Sequence, residues 1–254
     1  MLLRAEDGVA LVGYRIPPVG PRRGGCLLVH GFGGSSREPA VIGLAEALAE
    51  RGFEVLAYDA RGHGGSGGRS TIMEREATDV VVAASALEGP FVAVGVSMGA
   101  IAVVRLAAEN PPAGLAGVVT VSGPARWRLR PAIAVLAVLT RTRLGSVVVA
   151  ARLGVRLEHR FRLPAAPVDL VGRICRPLAV VHGSADRLIR VDEAFLLHDR
   201  GGGPRRLDVV AGMGHGLSPQ FSLVVVRAVE WALAAGGHPG GDASFGSDGP
   251  APSR

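Results

Sequence analysis

The chain has 254 residues, 48% of them hydrophobic and 4% aromatic, with a formal net charge of +6. That length suits one large domain with an ample core, and no apolar run approaches the roughly 18–20 residues of a membrane-spanning helix. Scarce aromatic side chains and the lack of a recognisable nucleic-acid module argue against nucleic acid as a partner.

The first eight residues lack the apolar stretch of a signal peptide, so a soluble, cytoplasmic protein is expected. Residues 2–15 read as a two-strand ribbon turning near Glu6-Asp7-Gly8. Short apolar runs follow at 26–30, 55–58, 91–96, 118–121, 178–182 and 207–210. Strands apolar on consecutive residues belong in a parallel sheet covered on both faces. Helical patterns alternate with them at 38–51, 74–87, 98–110, 192–199 and 219–235, the signature of a doubly wound α/β fold. Cys26 and Cys175 sit beside predicted buried strands and read as buried free thiols, too few for a disulfide framework or metal site.

One stretch breaks the rhythm. Residues 123–174 contain no clean strand but show helical patterns at 132–139 and 146–157, which predicts an inserted helical lid between core segments 1–122 and 175–235. All 28 basic residues of the chain are Arg, and eleven of them fall between Ala125 and Arg176 against only Glu158 and Asp169. A solvated helical face is the plain reading of that excess. The alternatives are attraction of an anionic substrate or weak membrane-surface contact. The stretch 236–254 is Gly, Pro, Ser and Asp with little apolar content and is expected to be disordered.

The chemistry gathers in loops after strands. Gly95-Val96-Ser97-Met98-Gly99 joins a strand-like run to a helix-like run. A Ser at such a turn is strained and needs flanking positions almost free of side chain, which the two glycines supply. Its hydroxyl is a poor nucleophile without a base, and the base needs a carboxylate to fix its tautomer. His215, in Gly212-Met213-Gly214-His215-Gly216, follows the last predicted strand, and Asp186 follows the one before it. Loops at the C-terminal ends of parallel strands meet at one sheet edge, so Ser97, Asp186 and His215 are expected to converge there. The order Ser, Asp, His is that of an α/β-hydrolase triad. His30-Gly31-Phe32-Gly33-Gly34 also follows a strand, and the backbone N–H groups of Phe32 and Met98 are the expected oxyanion hole. His30, His63 and His182 read as structural, Asp59 as a turn-closing group, His159 and His198 as surface residues, and His238 as part of the tail. None of the His and acidic residues has metal-ligand spacing.

These four loops, with Asp59-Ala60-Arg61-Gly62-His63-Gly64-Gly65-Ser66, resemble the α/β-hydrolase superfamily, most of all its monoacylglycerol-lipase and serine-aminopeptidase-like branch. The resemblance implies an eight-stranded, mostly parallel sheet with helices on both faces. It also implies Ser97 as nucleophile, His215 as base, Asp186 as orienting acid, and no cofactor. Ser rather than Asp at position 97 argues against dehalogenase and epoxide-hydrolase chemistry. The expected function is hydrolysis of a carboxylic ester, with a small-molecule acyl or lipid-like ester as substrate. A thioesterase, amidase or peptidase, or acyltransferase using the same triad is the alternative, and a non-catalytic ligand-binding member of the fold a third reading.

Overall fold

A computed structural model describes residues 1–127, 138, 142–158 and 162–237. Eight strands form one sheet: β1 (Leu2–Arg4), β2 (Ala10–Ile16), β3 (Gly24–Val29), β4 (Phe53–Tyr58), β5 (Phe91–Val96), β6 (Leu115–Val121), β7 (Leu178–Gly183) and β8 (Arg205–Val210). Their spatial order is β1-β2-β4-β3-β5-β6-β7-β8. The N-terminal ribbon pairs antiparallel along one side, and every other pairing is parallel. All residues of β3, β6 and β7 are buried, as their largely apolar sequences require of strands covered on both faces. The two outer strands are blunted: β1 has three residues, and β8 carries Arg205, Arg206 and Asp208.

The side-chain period of two divides the core. Leu27 and Val29 point to one face, and Cys26 and Leu28 to the other. On the first face lie α2 (Glu76–Ala84), α3 (Met98–Glu109) and α6 (Asp192–Arg200); on the second lie α1 (Pro39–Glu50) and α7 (Ser222–Ala235). The inserted segment contributes helices with described bounds at 143–153 and 167–170. In α4 (Arg143–Leu153), Thr142 Oγ1 accepts from the Gly145 N–H and Gly154 ends the helix in the left-handed region. The short α5 (Pro167–Leu170) continues into a 3₁₀ turn over 171–173, and Leu170, Val171 and Ile174 join the core beside α3. The helical pattern at 132–139, Val138 apart, lies outside the described residues, as do His159 and the tail from 238 onward. Among the described residues no helix is long and apolar enough to cross a membrane.

One expectation is corrected. Cys26 is buried in β3, and burial pushes its thiol well above the ordinary range. Cys175 is exposed, because it precedes the first residue of β7 by three positions and lies outside the two-faced cover that buries the strand.

The 59–66 stretch is anchored by a buried ion pair. Arg61 Nε and Nη2 each donate at 2.6 Å to the Asp79 carboxylate of α2, and Nη1 and Nη2 reach Asp7 in the N-terminal turn. Arg61 and Asp79 are 3% and 0% exposed, so neither charge has water to fall back on. Asp79→Ala leaves the buried guanidinium with Asp7 as its one carboxylate partner among the described residues and is expected to cost about 3 kcal/mol in urea unfolding; a loss below about 1 kcal/mol would show that the pair is not an anchor.

Candidate active site

The turn between β5 and α3 is dictated by backbone crowding. Ser97 stands at φ 52°, ψ −113°, outside the regions comfortable for an L residue. A Cβ on Gly95 would sit 2.3 Å from the Gly99 carbonyl oxygen, and one on Gly99 would sit 2.3 Å from the Val29 carbonyl oxygen. Only glycine fits at either place. The turn lifts the Ser97 side chain off the end of β5, while its N–H stays tied to the Val121 carbonyl at 2.8 Å.

His215 and Asp186 arrive on neighbouring loops laced together by the Ala185 N–H donating to the Met213 carbonyl at 3.0 Å. Ser97 Oγ lies 2.9 Å from His215 Nε2, and His215 Nδ1 lies 2.8 Å from Asp186 Oδ2. An ionised carboxylate only accepts, so Nδ1 carries the proton and Nε2 is free to accept from the serine hydroxyl. The other Asp186 oxygen accepts from the Leu188 and Ile189 N–H groups, each at 2.9 Å. Burial alone would raise the Asp186 pKa. The Ile189 N–H, the His215 imidazole and the Leu188 N–H outweigh it and hold the carboxyl below its ordinary range. Asp186 therefore stays ionised above that range, and its contribution to stability is lost only as pH falls through the depressed value.

A cavity of about 250 Å³ opens at this edge, lined by His30 through Gly34, Glu38, Val41, Val96, Ser97 and 215–217. Phe32 lies in its wall, and Met98 begins α3, where a backbone N–H has no intrahelical acceptor. The Phe32 loop turns tightly, with Gly33 at φ 75° and the Gly34 N–H on the Gly31 carbonyl at 3.1 Å. Its floor is aromatic: the His63 ring meets both His30 and Phe32 edge to face, at 5.1 and 5.8 Å between centroids. The end of α4 overhangs the loop, since the Leu153 carbonyl lies 3.5 Å from where a Gly33 Cβ would stand.

His30, His63, His182 and Asp59 behave as scaffolding. His30 Nε2 accepts from the Ala60 N–H at 2.9 Å, so Nδ1 carries the proton and donates to Gly31 O at 2.7 Å. His63 donates from Nδ1 to the Arg61 carbonyl. Asp59 accepts from the Ser36 and Gly65 N–H groups, closing two turns. His182 is wholly buried at the end of β7, and His198 is half-buried on α6. Two residues at this edge were not legible as site residues: Ser122, whose hydroxyl accepts from the Gly216 N–H at 3.1 Å, and Glu38 in the cavity wall. Nothing in the composition of either segment marks them; only the folded edge brings them to the loops. Among the described residues no group of three or more His, Cys, Asp or Glu is arranged to hold a metal ion.

The family described as "Serine aminopeptidase, S33" matches residues 20–166, more than half of the chain. The chain belongs to this family of α/β-hydrolases. The match takes in the Phe32 loop and Ser97 and ends before Asp186 and His215. No curated protein matches the chain. Among solved structures, Est1E from Butyrivibrio proteoclasticus with ferulic acid bound superposes with a TM-score of 0.68 at 20% identity, covering 92% of this chain and 98% of that one. An esterase from Exiguobacterium antarcticum gives 0.71 at 16% identity, covering 91% and 99%. The Pyrococcus furiosus esterase Pf2001 gives 0.68 at 19% identity, covering 92% of each. Identities this low establish the shared fold of this S33 family member and nothing finer.

Burial, then the neighbouring His63, lower the His30 pKa from 6.5 to about 4 against the opposing pull of the Gly31 carbonyl. The folded state keeps His30 neutral, so its stabilisation is complete above pH 6.5 and is lost as pH falls toward 4. His30→Gln is expected to flatten the fall of Tm with pH across that window. An unchanged slope would mean that His30 is not held neutral by the fold.

Proposed function

We propose that this S33 family member is a serine hydrolase that cleaves carboxylic esters through an acyl-enzyme. What supports the reading is the unbroken chain from the Ser97 hydroxyl through His215 to Asp186, at 2.9 and 2.8 Å, opening onto one cavity. Ser97 attacks the ester carbonyl while His215 Nε2 takes its proton. Asp186 holds the imidazole in the tautomer that leaves Nε2 basic and stabilises the imidazolium that forms. The Phe32 and Met98 N–H groups receive the tetrahedral oxyanion, usually the largest electrostatic contribution in such a step. The imidazolium then protonates the departing alcohol, and water activated by the same base releases the acid.

The inserted segment 123–174 acts as a lid in this proposal. Its helix α4 leaves Leu144, Val147 and Val148 exposed while its end overhangs the Phe32 loop. That apolar face suits a substrate with a hydrocarbon acyl chain, and with the surrounding Arg residues it suits weak contact with a lipid surface. A second reading keeps the triad and changes the bond. Glu38 is the one acidic side chain among the described residues lining the cavity, and the family is described as serine aminopeptidases. Together they favour an amide whose free amino group meets that carboxylate.

Turnover of a panel of p-nitrophenyl esters, acyl thioesters and aminoacyl amides, with Ser97→Ala as blank, tests both. Esters are expected to be the fastest class, and Ser97→Ala is expected to lower kcat by on the order of 10⁵-fold or more. Ester turnover surviving in Ser97→Ala would remove the proposed nucleophile, and amides outpacing esters would favour the second reading.

A further inference from the structure

Two neighbours of Ser97 on the sheet edge carry local penalties that the fold alone does not explain. In register, Val96 of β5 stands beside Val121 of β6, and Val121 stands beside Val181 of β7. One step further lie Ser97, Ser122 and His182. The Ser97 and Ser122 N–H groups extend the ladder by one more bond each, to Val121 O at 2.8 Å and Val181 O at 2.9 Å.

Ser122 shares the positive φ of Ser97, at 49°, and it is wholly buried. A glycine would relieve that strain. Glycine, however, has no hydroxyl, and the Ser122 hydroxyl is what receives the Gly216 N–H, the backbone group next to His215. Strain is thus tolerated where it supplies the acceptor for the loop carrying the proposed base.

His182 pays differently. It is also wholly buried, and among the described residues its Nδ1 has no hydrogen-bond partner, which an apolar side chain would avoid. Its other nitrogen explains the arrangement. Nε2 lies 2.9 Å from the Ile189 carbonyl, an acceptor only, so Nε2 carries the proton. The same N–H lies 3.5 Å from Asp186 Oδ2, the oxygen facing His215. Ile189 is also the residue whose own N–H holds the other Asp186 oxygen. His182 therefore grips the turn that shapes the carboxylate, with its proton-bearing nitrogen close to Asp186.

We propose that Ser122 and His182 are positioning residues, Ser122 for the His215 loop and His182 for the Asp186 turn. The proposal rests on the triad reading above. Local departures from the best sequence for a fold concentrate where function demands them, and here two fall on adjacent positions of one row beside Ser97.

Three variants test this, each compared with wild type by thermal melting, ester kinetics and the downfield proton resonance of the His215–Asp186 N–H. Ser122→Gly relieves the strain and removes the acceptor. It is expected to melt no lower than wild type, yet lose on the order of tenfold to a hundredfold in kcat with KM nearly unchanged. His182→Leu is expected to lose a similar factor, and His182→Gln, which keeps a side-chain N–H, to recover most of it. In Ser122→Gly and His182→Leu the resonance should shift or broaden. Folded Ser122→Gly and His182→Leu with wild-type kcat and an unmoved resonance would overturn the proposal. A wild type that turns over no ester, but whose resonance responds to the substitutions, would remove the hydrolase reading and leave the positioning roles standing. Should His182→Leu not fold, His182→Met, which also lacks the N–H, takes its place under the same criteria.

Discussion

The geometry of the site depends on backbone meeting backbone at the end of β5. Gly95 lies against the carbonyl of Gly99, and Gly99 against the carbonyls of Val29 and His30, at separations that leave no room for a methyl group. This contact seats α3 against the sheet and forces Ser97 into a positive φ. It also brings the Phe32 loop alongside, since a Cβ on Gly31 would lie 3.2 Å from the Ser97 Cβ. Strand, helix and loop are locked by one close approach. The Ser97 turn is held by close backbone packing rather than by long side chains.

The parallel sheet does the rest. Strand ends aligned in register deliver the Phe32 loop, Ser97, Ser122 and His182 to one edge, and the loops after β7 and β8 add Asp186 and His215. The inserted segment is fastened at its stem and at its far end. Trp127 Nε1 donates to the Pro164 carbonyl, Val168 N to Ala125 O, and buried Glu193 receives the Ala125 and Arg126 N–H groups together with the Arg126 side chain. Farther along, Arg156 and Glu158 exchange backbone bonds with Gly62 and Ser70, and the Arg156 guanidinium binds the Ser66 carbonyl. Part of the Arg excess in this segment therefore serves as clamps onto the body. Such use is what guanidinium groups with several fixed donors are suited to.

Much of this was legible in the sequence, because the informative signals are local. Runs such as Phe91–Val96 declare a two-faced strand, and glycines on either side of a serine declare a strained turn. Where boundaries moved, local composition hid them. β8 starts at Arg205 and Arg206, which resemble loop residues, and α2 starts only at Glu76. The residues before α2 form a turn in which Ile72 and Met73 take positive φ and the Glu76 carboxylate gathers Ser70, Thr71 and Met73. Ser122 and His182 could not be read as site residues, since their meaning lies in the register of three strands. The exposure of Cys175 and the Arg61–Asp79 pair are likewise products of packing across distant segments. For the triad candidates, spacing predicted convergence, and the hydrogen-bond distances describe it. Their chemical roles are a proposal built on that convergence.

The most direct measurement is peptide mapping by mass spectrometry after rapid acid quenching of the enzyme during turnover of an activated ester. An acyl group carried by the peptide that contains Ser97, at the serine itself, is the result expected of the proposed chemistry. Steady turnover with the acyl group on another residue, or with no covalent adduct even from a slowly deacylating carbamate ester, would contradict it.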